Sequence, residues 1–276
     1  MKREKNKYLI GDILGILGAI IIFILPFFFM LVNSLKERRE ANVLSIALPK
    51  NFQWSNYKEV LTAGNYILIT AFKNSLTLMI GAVALLIITG SMAGYILHRR
   101  NGAGMKVINA LILSGLMVPP AIMPTIWLMQ GIGIYKTLFG MILVEVALQT
   151  PFTILLYRGF MSSIPVELEE AGYIDGCTRI QLFTKIVFPL LKPITATVFI
   201  LNSVAVFNDF TNPLYFLPGA KNVTVQQTLY NFLGQYSSSY NLLFANVILI
   251  TIPMLILFII FNKKIVEGMV AGAIKG

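Results

Sequence analysis

Two acidic residues, Glu145 and Asp209, stand inside long apolar stretches of the sequence. Ionisable side chains are costly in such surroundings, and they usually face a water-filled cavity or a partner. Asp209 is also accompanied by two amides, Asn208 and Asn212, and Pro213 is expected to break the helix just beyond. Carboxylates and amides bind the hydroxyls of a sugar-like solute, so these four polar residues are a candidate substrate pathway. Hydrogen bonding between helices, or contact with another subunit, is the alternative interpretation, and it stays open.

A second polar feature is the segment 158–193, which separates two apolar stretches and carries acids, bases and small residues. Pro165 is suited to the first position of a helix, and Gly176 stands where that helix would end in a left-handed cap. Thr178 and Gln181 have the spacing of a capping box, which predicts the start of the next helix. Two short helices joined at a glycine are therefore predicted here.

The end of this segment contains two prolines, Pro189 and Pro193, which are expected to stop the second helix before the next apolar stretch. The predicted result is a hairpin with small residues at its bend, a shape suited to inserting into a cleft on another protein. The alternative is a solvated loop whose charged residues only keep it soluble.

Residues that commonly carry catalysis are scarce in this chain. One cysteine, Cys177, and one histidine, His98, exclude an internal disulfide, a cysteine-rich metal site and the H-E-x-x-H zinc motif. The GxxxxGK[ST] phosphate loop is also missing, so the chain does not bind ATP by that route. We therefore predict no catalytic residue, no metal site and no cofactor bound by this chain.

The composition indicates an integral membrane protein. Of the 276 residues 57% are hydrophobic and only 12% are charged, whereas a soluble domain has about 25% charged residues. The net charge of +10 fits basic residues that face anionic lipid headgroups, so we do not expect nucleic-acid binding. Stretches of this length cross a bilayer as helices, which predicts an all-α fold. The six candidate transmembrane helices are 9–32, 75–97, 107–130, 138–157, 194–216 and 243–261.

The distribution of basic residues predicts the orientation. With six spans both termini lie on one side, and that side holds 14 of the 22 Lys and Arg residues. Since short loops dominate this rule, both termini and segment 158–193 are placed in the cytoplasm. Two regions follow from this topology. Residues 1–74 hold the first transmembrane helix and a long extracytoplasmic loop, and residues 75–276 form a five-helix core that carries the hairpin.

The hairpin segment closely resembles the EAA loop of binding-protein-dependent ABC importer permeases. The family pattern reads E-A-A, three residues, G, nine residues, then I-x-L-P, and here Gly172 replaces the second Ala and Phe188 the Leu. The stretches FMSSIPVELEEAGYIDG and KKIVEGMVAGAIKG are similar to the carbohydrate-uptake branch, the smaller permease of maltose-type transporters. The residues that match the motif are Glu170, Ala171, Gly172, Gly176, Ile186, Phe188 and Pro189.

This resemblance implies the type I ABC importer permease fold, in a bacterial inner membrane, and import of a sugar or oligosaccharide. It also implies that the hairpin docks in a groove of a separate ATPase and couples ATPase closure to alternating access. Glu170 and Asp175 would make polar contacts there, the small residues would permit close approach, and Pro189 would fix the hairpin against the fifth span. The implied coupling residues are Glu170, Ala171, Gly172, Asp175, Gly176, Ile186 and Pro189.

The resemblance further implies a set of partners. These are a second homologous permease, an ABC ATPase dimer that uses ATP and Mg²⁺, and an extracytoplasmic solute-binding protein. The loop 33–74 is the natural candidate to help receive that binding protein. The triplet Asn208-Asp209-Phe210, followed by an asparagine and a proline, is similar to a motif of carbohydrate permeases, which favours the pathway interpretation.

Two other classes of protein fit the sequence less well. A self-contained secondary transporter or channel would show internal repeats or an intramembrane ion relay, and the sequence shows neither convincingly. A membrane enzyme would need paired aspartates, a Ser–His constellation or a zinc motif. The sequence therefore favours a non-enzymatic permease subunit.

Overall fold

The computed structural model describes residues 2–233 and 238–273, with side chains for 11–233 and 238–261. Throughout these ranges the chain is built from helices and contains no strand, which confirms the predicted all-α class. The chain divides into two compact units. The first unit comprises residues 1–69 and 227–252, and the second comprises residues 70–226 and 253–276. The topological boundary predicted at residue 74 stays a prediction.

The α-helices are named in chain order. They are α1 (Lys2–Ala19), α2 (Leu25–Ser34), α3 (Arg38–Ala41), α4 (Ser55–Arg99), α5 (Ala103–Ser114), α6 (Ile122–Gly131), α7 (Leu138–Met161), α8 (Glu167–Ile174), α9 (Arg179–Gln181), α10 (Phe188–Leu190), α11 (Lys192–Asn208), α12 (Thr211–Phe216) and α13 (Tyr240–Ala273). Two π-helical segments, Ile20–Ile24 and Leu182–Val187, join α1 to α2 and α9 to α10. Short 3₁₀ turns occupy Ala220–Asn222 and Gln226–Phe232.

Four helical stretches in the described ranges are long and apolar enough to cross a membrane. They are Gly11–Ser34, Ser55–Arg99, Leu138–Met161 and Tyr240–Phe261. A fifth is obtained if Arg179–Leu190 and Lys192–Asn208, which are bent by 75°, count as one span. The predicted count of six spans and the cytoplasmic placement of the termini therefore stay predictions.

The predicted third span, 107–130, is not one continuous helix. Helix α5 ends at Ser114 and α6 begins at Ile122, with non-helical backbone between them. This gap contains the consecutive prolines Pro119 and Pro120. Because proline has no backbone N–H to donate and restricts the residue before it, the pair interrupts the helix that was predicted to be continuous.

The long loop predicted at 33–74 is helical over much of its length, since α4 already begins at Ser55. The helix is broken at 63–66, where Gly64, Asn65 and Tyr66 have positive φ values of 55°, 55° and 62°. Two of these three residues are not glycine, so the break is a strained connection between two helical parts rather than a gentle bend.

In the first unit, a network of buried polar groups holds the turn after α2. The Lys36 side chain is fully buried and donates to the Ser45 carbonyl at 2.8 Å and to Asn33 Oδ1 at 3.1 Å. Asn56 Nδ2 donates to the carbonyls of Ser34 and Lys36 at 2.8 and 2.9 Å. Lys36 belongs to the predicted loop 33–74. The structure uses its ammonium group to satisfy turn oxygens that would otherwise be buried without a donor.

In the second unit, α4 packs closely against α7 at the sequence Gly90-x-x-x-Gly94, a pattern that commonly permits close helix packing. A Cβ atom placed on Gly94 would lie 2.7 Å from Tyr157 Cβ and 3.0 Å from the backbone nitrogen of Arg158. A Cβ atom on Gly90 would lie 2.5 Å from Thr153 Cγ2. These two glycines therefore admit α7 closely against α4.

Candidate functional site

The hairpin bend has the geometry that the glycine and the capping residues predict. Gly176 has φ of +80°, its N–H donates to the Tyr173 carbonyl at 3.1 Å, and the N–H of Cys177 donates to the Gly172 carbonyl at 3.0 Å. This pair of bonds is a Schellman motif, which closes α8 and leaves a left-handed residue at the bend. The predicted left-handed cap at Gly176 is therefore confirmed.

The second helix of the hairpin begins at the predicted capping box. Thr178 Oγ1 accepts from the Gln181 N–H at 3.4 Å, and Gln181 Oε1 accepts from the Thr178 N–H at 2.9 Å. These reciprocal bonds satisfy donors that α9 leaves without a partner inside the helix. The capping-box prediction is confirmed.

The second helix of the hairpin ends at Leu190, between the two prolines and before α11, as predicted, although Pro189 itself lies within the helix. Pro189 lies in the first turn of α10, which continues α9 through the π-helical segment Leu182–Val187. A π turn accommodates a proline because it locally shifts the hydrogen bonds that the missing N–H cannot make. Pro193 opens α11 instead, close to the 75° bend at Leu191. The predicted role of Pro189 in fixing the hairpin stays a prediction.

The predicted coupling residues lie in different surroundings. Glu170, Ala171, Asp175 and Gly176 are exposed, whereas Gly172 is buried and faces the second helix of the hairpin. A Cβ atom on Gly172 would lie 2.5 Å from Ile186 Cδ1, so the close approach that Gly172 permits here is made by its own hairpin. The motif therefore has an exposed part near its bend and a buried part that holds its two helices together.

Glu169 is not among the predicted site residues, although it is the best-connected side chain of the hairpin. Its Oε1 lies 2.6 Å from Arg99 Nε, and its Oε2 accepts from the Tyr95 hydroxyl at 2.8 Å. Arg99 Nη2 also donates to the Ile164 carbonyl at 2.9 Å. No local spacing connects residues 70 positions apart, so the sequence offers only a basic helix end and an acidic first turn as separate signals.

A cavity of about 870 Å³ lies between the end of α4 and the hairpin. Its lining is mainly apolar, with Arg99, Arg100 and Arg179 among the polar groups. The α4 side chains on its wall run from Ile88 to Arg99. Its other walls come from α8 and from the second helix of the hairpin.

The candidate pathway residues are only partly brought together. Glu145 is 1% exposed and lies close enough to Asp209 for the two carboxyl groups to interact electrostatically, while its Oε1 has no hydrogen-bond partner. Asp209 in turn accepts from Asn212. Asn208 is directed elsewhere, because its Oδ1 accepts from Gln226 Nε2 at 2.9 Å. Glu145, Asp209 and Asn212 are therefore one cluster, and Asn208 stands beside it.

Asp209 also explains where the fifth predicted span is broken. The helix α11 ends at Asn208, and Asp209 has extended backbone with ψ of 121°. The break therefore precedes Pro213, which lies inside α12, so the expected break at that proline is wrong. The physical reason is that the Asp209 carboxylate satisfies the first turn of α12, which makes a new helix start favourable.

Glu145 lies in α7, and Asp209 directly follows α11. Other polar contacts also join these two helices. The Tyr157 hydroxyl donates to Thr195 Oγ1 at 3.0 Å, and Asn202 Nδ2 donates to Thr153 Oγ1 at 3.2 Å. Thr195 and Asn202 are seven residues apart, which places them on one face of α11. Hydrogen bonding between helices, the alternative interpretation of the polar residues, is thus observed for Thr153 and Asn202.

Comparisons with known proteins agree on one family. Residues 87–270 match the family described as binding-protein-dependent transport system inner membrane component. The chain is 34% identical to the melibiose/raffinose/stachyose import permease protein MelC of Bacillus subtilis (strain 168), over 96% of both chains. It is 32% identical to the multiple sugar-binding transport system permease protein MsmG of Streptococcus mutans serotype c, over 99% of both.

A solved structure supports the fold independently. One chain of a bacterial ABC transporter involved in the import of the acidic polysaccharide alginate superposes with a TM-score of 0.82 at 20% identity. The match covers 95% of this chain and 98% of that one. At that level of identity the likeness concerns the arrangement of the helices.

Proposed function

Because this chain belongs to the family of binding-protein-dependent transport system inner membrane components, we propose that it forms a sugar or oligosaccharide pathway and docks an ATPase through its hairpin. The chain is a non-catalytic permease component of an ABC importer in the inner membrane, and ATP hydrolysis takes place on a separate subunit. The fold is that of an ABC importer permease.

The observation that carries the docking proposal is the exposed bend of the hairpin. Glu170 and Asp175 are exposed, and Gly176 in its left-handed conformation has no atom within 4 Å of where a Cβ would be. A capped, compact bend of this kind presents backbone and carboxylate groups that a groove with basic or polar walls can bind. The Schellman motif and the capping box hold that shape before any partner arrives, which reduces the entropy cost of docking.

The proposed assembly contains a second homologous permease, a dimer of ABC ATPases and an extracytoplasmic solute-binding protein. ATP and Mg²⁺ are used by the ATPases, and this chain binds no cofactor of its own. A sugar or oligosaccharide is proposed as the solute because the names of MelC and MsmG state import of melibiose, raffinose and stachyose, and multiple sugar-binding transport. The self-contained transporter and the membrane enzyme are not favoured.

The loop after α2 is proposed to help receive the solute-binding protein. Several large apolar side chains are exposed there, among them Leu48, Phe52 and Trp54 at 66%, 58% and 67%. Exposed apolar groups that cluster on a loop commonly mark an interaction surface. The buried Lys36 network supports this proposal, because it gives the loop a defined conformation.

The cluster of Glu145, Asp209 and Asn212 is proposed to line the solute pathway or its gate. Glu145 has a buried carboxyl oxygen without a hydrogen-bond partner, an arrangement that is costly unless a ligand or a conformational change uses it. Asn208, exposed at the end of α11 beside this cluster, belongs to the same proposal. Uptake competition among labelled oligosaccharides, with the cognate binding protein, would identify the solute.

The docking role is tested by changing the bend. Gly176→Asp, and separately Glu170→Lys combined with Gly176→Val, should abolish uptake and co-purification of the ATPase while the protein still accumulates in the membrane. Gly159→Ala is the matched control, because Gly159 is a helical glycine with no atom within 4 Å of its Cβ position. Full ATP-dependent uptake by either bend variant would contradict docking through this hairpin.

A further inference from the structure

We infer that the buried Arg99–Glu169 pair transmits movement of the hairpin to α4, while the neighbouring exposed acids make the docking contact. This inference rests on the proposed docking function and divides it between two sets of side chains. Glu169 and Arg99 are positioning residues in this scheme, since neither would touch the ATPase or the solute. Binding and transmission should therefore be separable by mutation.

The first step is the opposite surroundings of adjacent acids on α8. Glu169 is 5% exposed and is directed into the protein, whereas Glu170 is exposed. Successive residues of an α-helix are rotated by about 100°, so neighbouring side chains reach different sides of the same helix. One face of α8 is therefore available to a partner, while the opposite face contacts α4 through Glu169.

The second step is the geometry of the contact between Glu169 and α4. Both Glu169 oxygens are occupied, Oε1 by Arg99 Nε at 2.6 Å and Oε2 by the Tyr95 hydroxyl at 2.8 Å. Arg99 Nη2 donates to the Ile164 carbonyl at 2.9 Å, just before α8 begins. Because the guanidinium group is planar and rigid, α8 and the turn that leads into it are held in one fixed relation to the end of α4.

The third step is the kind of contact that joins α8 itself to α4. A cavity of about 870 Å³ lies between α4 and the hairpin, and beside it Ile87 and Tyr95 of α4 pack against the same core as Leu182 of the second helix of the hairpin. Beside the ion pair, the Tyr95 ring approaches the Phe183 ring with centroids 5.6 Å apart. The hydrogen bonds between the described side chains of α8 and α4 are those of Glu169 with Arg99 and Tyr95, so a displacement of α8 acts on α4 directly through them.

The neighbouring cations do not duplicate this contact. Arg158 donates a hydrogen bond to Asn109 Oδ1. The side chains of Arg100 and Arg179, which line the cavity, make no hydrogen bond or ion pair with a described residue. Arg99 is the arginine of this region that contacts a hairpin carboxylate. Arg100, one position along and also on the cavity wall, is therefore a close control.

The test uses the complete importer reconstituted in liposomes, with uptake, ATP hydrolysis and ATPase co-purification measured together. The double variant Arg99→Gln with Glu169→Gln removes both charges and leaves no unpaired ion buried, so it should fold. It should retain the ATPase at the wild-type ratio, while solute imported per ATP hydrolysed falls roughly tenfold, as expected when a coupling contact is lost. Arg100→Gln with Glu167→Gln, two exposed positions, should leave both quantities unchanged.

A second variant keeps the inference falsifiable if the double variant does not accumulate. Glu169→Gln alone preserves the side-chain shape and one acceptor, so an intermediate loss of solute imported per ATP is expected. Unchanged coupling in either variant would overturn the inference. Loss of the ATPase together with uptake would also overturn it, because the pair would then only shape the docking surface.

These outcomes are distinct from a failure of the docking proposal. If Glu170→Lys with Gly176→Val transports normally and retains the ATPase, docking through the hairpin is wrong whatever the Arg99 variants show. A second outcome is that the bend variant loses the ATPase, while the Arg99–Glu169 variants retain the ATPase and import the normal amount of solute per ATP. In that case docking through the hairpin is supported and the transmission role of the pair is wrong.

Discussion

Asp209 accepts two hydrogen bonds from Asn212, one from the backbone N–H at 3.1 Å and one from the side-chain amide at 2.6 Å. The carboxylate therefore closes the first turn of α12 in the manner of a helix N-cap. It also lies beside the buried Glu145 carboxyl group. One residue thus combines a structural task with a position in the candidate pathway, and substitutions can separate the two.

We expect Asp209→Asn and Asp209→Ala to differ. The asparagine side chain retains an oxygen that can accept from the Asn212 N–H, whereas alanine loses the cap, at a cost of about 1 kcal/mol. Thermal unfolding of the detergent-solubilised protein should show a lower midpoint for Asp209→Ala only. If the carboxylate serves the pathway, Asp209→Asn should lower uptake without lowering stability.

Wild-type uptake kinetics in Asp209→Asn, and likewise in Asn208→Ala, would favour the alternative that these residues only support helix contacts. Asn202→Leu offers a comparison, because Asn202 already has a hydrogen bond between helices, to Thr153. That variant is expected to lose stability and uptake in proportion.

Gly172 permits a prediction about the inner face of the hairpin. An alanine Cβ would meet Ile186 Cδ1 at 2.5 Å and Leu182 Cδ1 at 3.1 Å, and both are the far ends of flexible side chains. Gly172→Ala should therefore be tolerated after a rotamer change, whereas Gly172→Val should separate the two helices at a cost of about 1–3 kcal/mol. Thermal stability and ATPase co-purification measure the two effects.

The control for this pair of variants is a compensating change. Ile186→Ala should restore part of the stability lost in Gly172→Val, because it removes the atom that the new side chain meets. Equal stability of Gly172→Ala and Gly172→Val would contradict the packing described for this hairpin.

The two glycines between α4 and α7 are expected to differ in their tolerance of alanine. At Gly94 a new Cβ meets a backbone nitrogen, that of Arg158, at 3.0 Å, whereas at Gly90 the nearest atom is the Thr153 methyl group. Backbone yields less easily than a side chain, so Gly94→Ala should destabilise by about 1–3 kcal/mol and Gly90→Ala by less. Unfolding midpoints that fall in the opposite order would refute this assignment.

The exposed aromatic side chains before α4 are expected to matter for the solute-binding protein. Trp54 is 67% exposed and stacks on Tyr57 with ring centroids 6.2 Å apart, which holds it in a defined orientation. Trp54→Ala with Phe52→Ala should weaken binding about tenfold or more, as loss of aromatic anchors commonly does. Affinity for the binding protein, measured with the permease in nanodiscs, tests this.

Ile22→Ala is the matched control for the aromatic pair, because Ile22 is also 67% exposed but lies within the first apolar span. It should leave affinity for the binding protein unchanged. If the aromatic variant binds normally and the protein remains stable, the loop is not the receiving surface.

Local features of this protein were predictable from its sequence. The cap at Gly176, the capping box at Thr178 and the glycine-mediated contact of α4 depend on residues a few positions apart, and short spacings encode such features directly. The all-α class followed from apolar stretches of sufficient length. The helix break was predicted at Pro213 but lies directly after Asn208. The sequence did not reveal that the Asp209 carboxylate would cap a new helix there, with Pro213 inside it.

Long-range partners were not predictable in the same way. Arg99 and Glu169 are far apart in sequence, and so are Glu145 and Asp209, and no periodicity links such pairs. The burial of Lys36 was equally unpredictable, because the Ser45 carbonyl that it contacts is brought to it only by the folded turn. Charged residues that end up buried are therefore the ones whose roles the sequence conceals.

The 75° bend at Leu191 is a short joint between the hairpin and α11. Only this fully buried residue separates α10 from α11, so the joint is short and enclosed. Helix α11 has 17 residues and is therefore about 26 Å long. A rotation of about 10° around Leu191 would displace its far end, at Asn208, by about 4.5 Å, which exceeds the diameter of a water molecule, about 2.8 Å. A small rotation at the hairpin would therefore become a larger displacement at the far end of α11, next to the polar cluster.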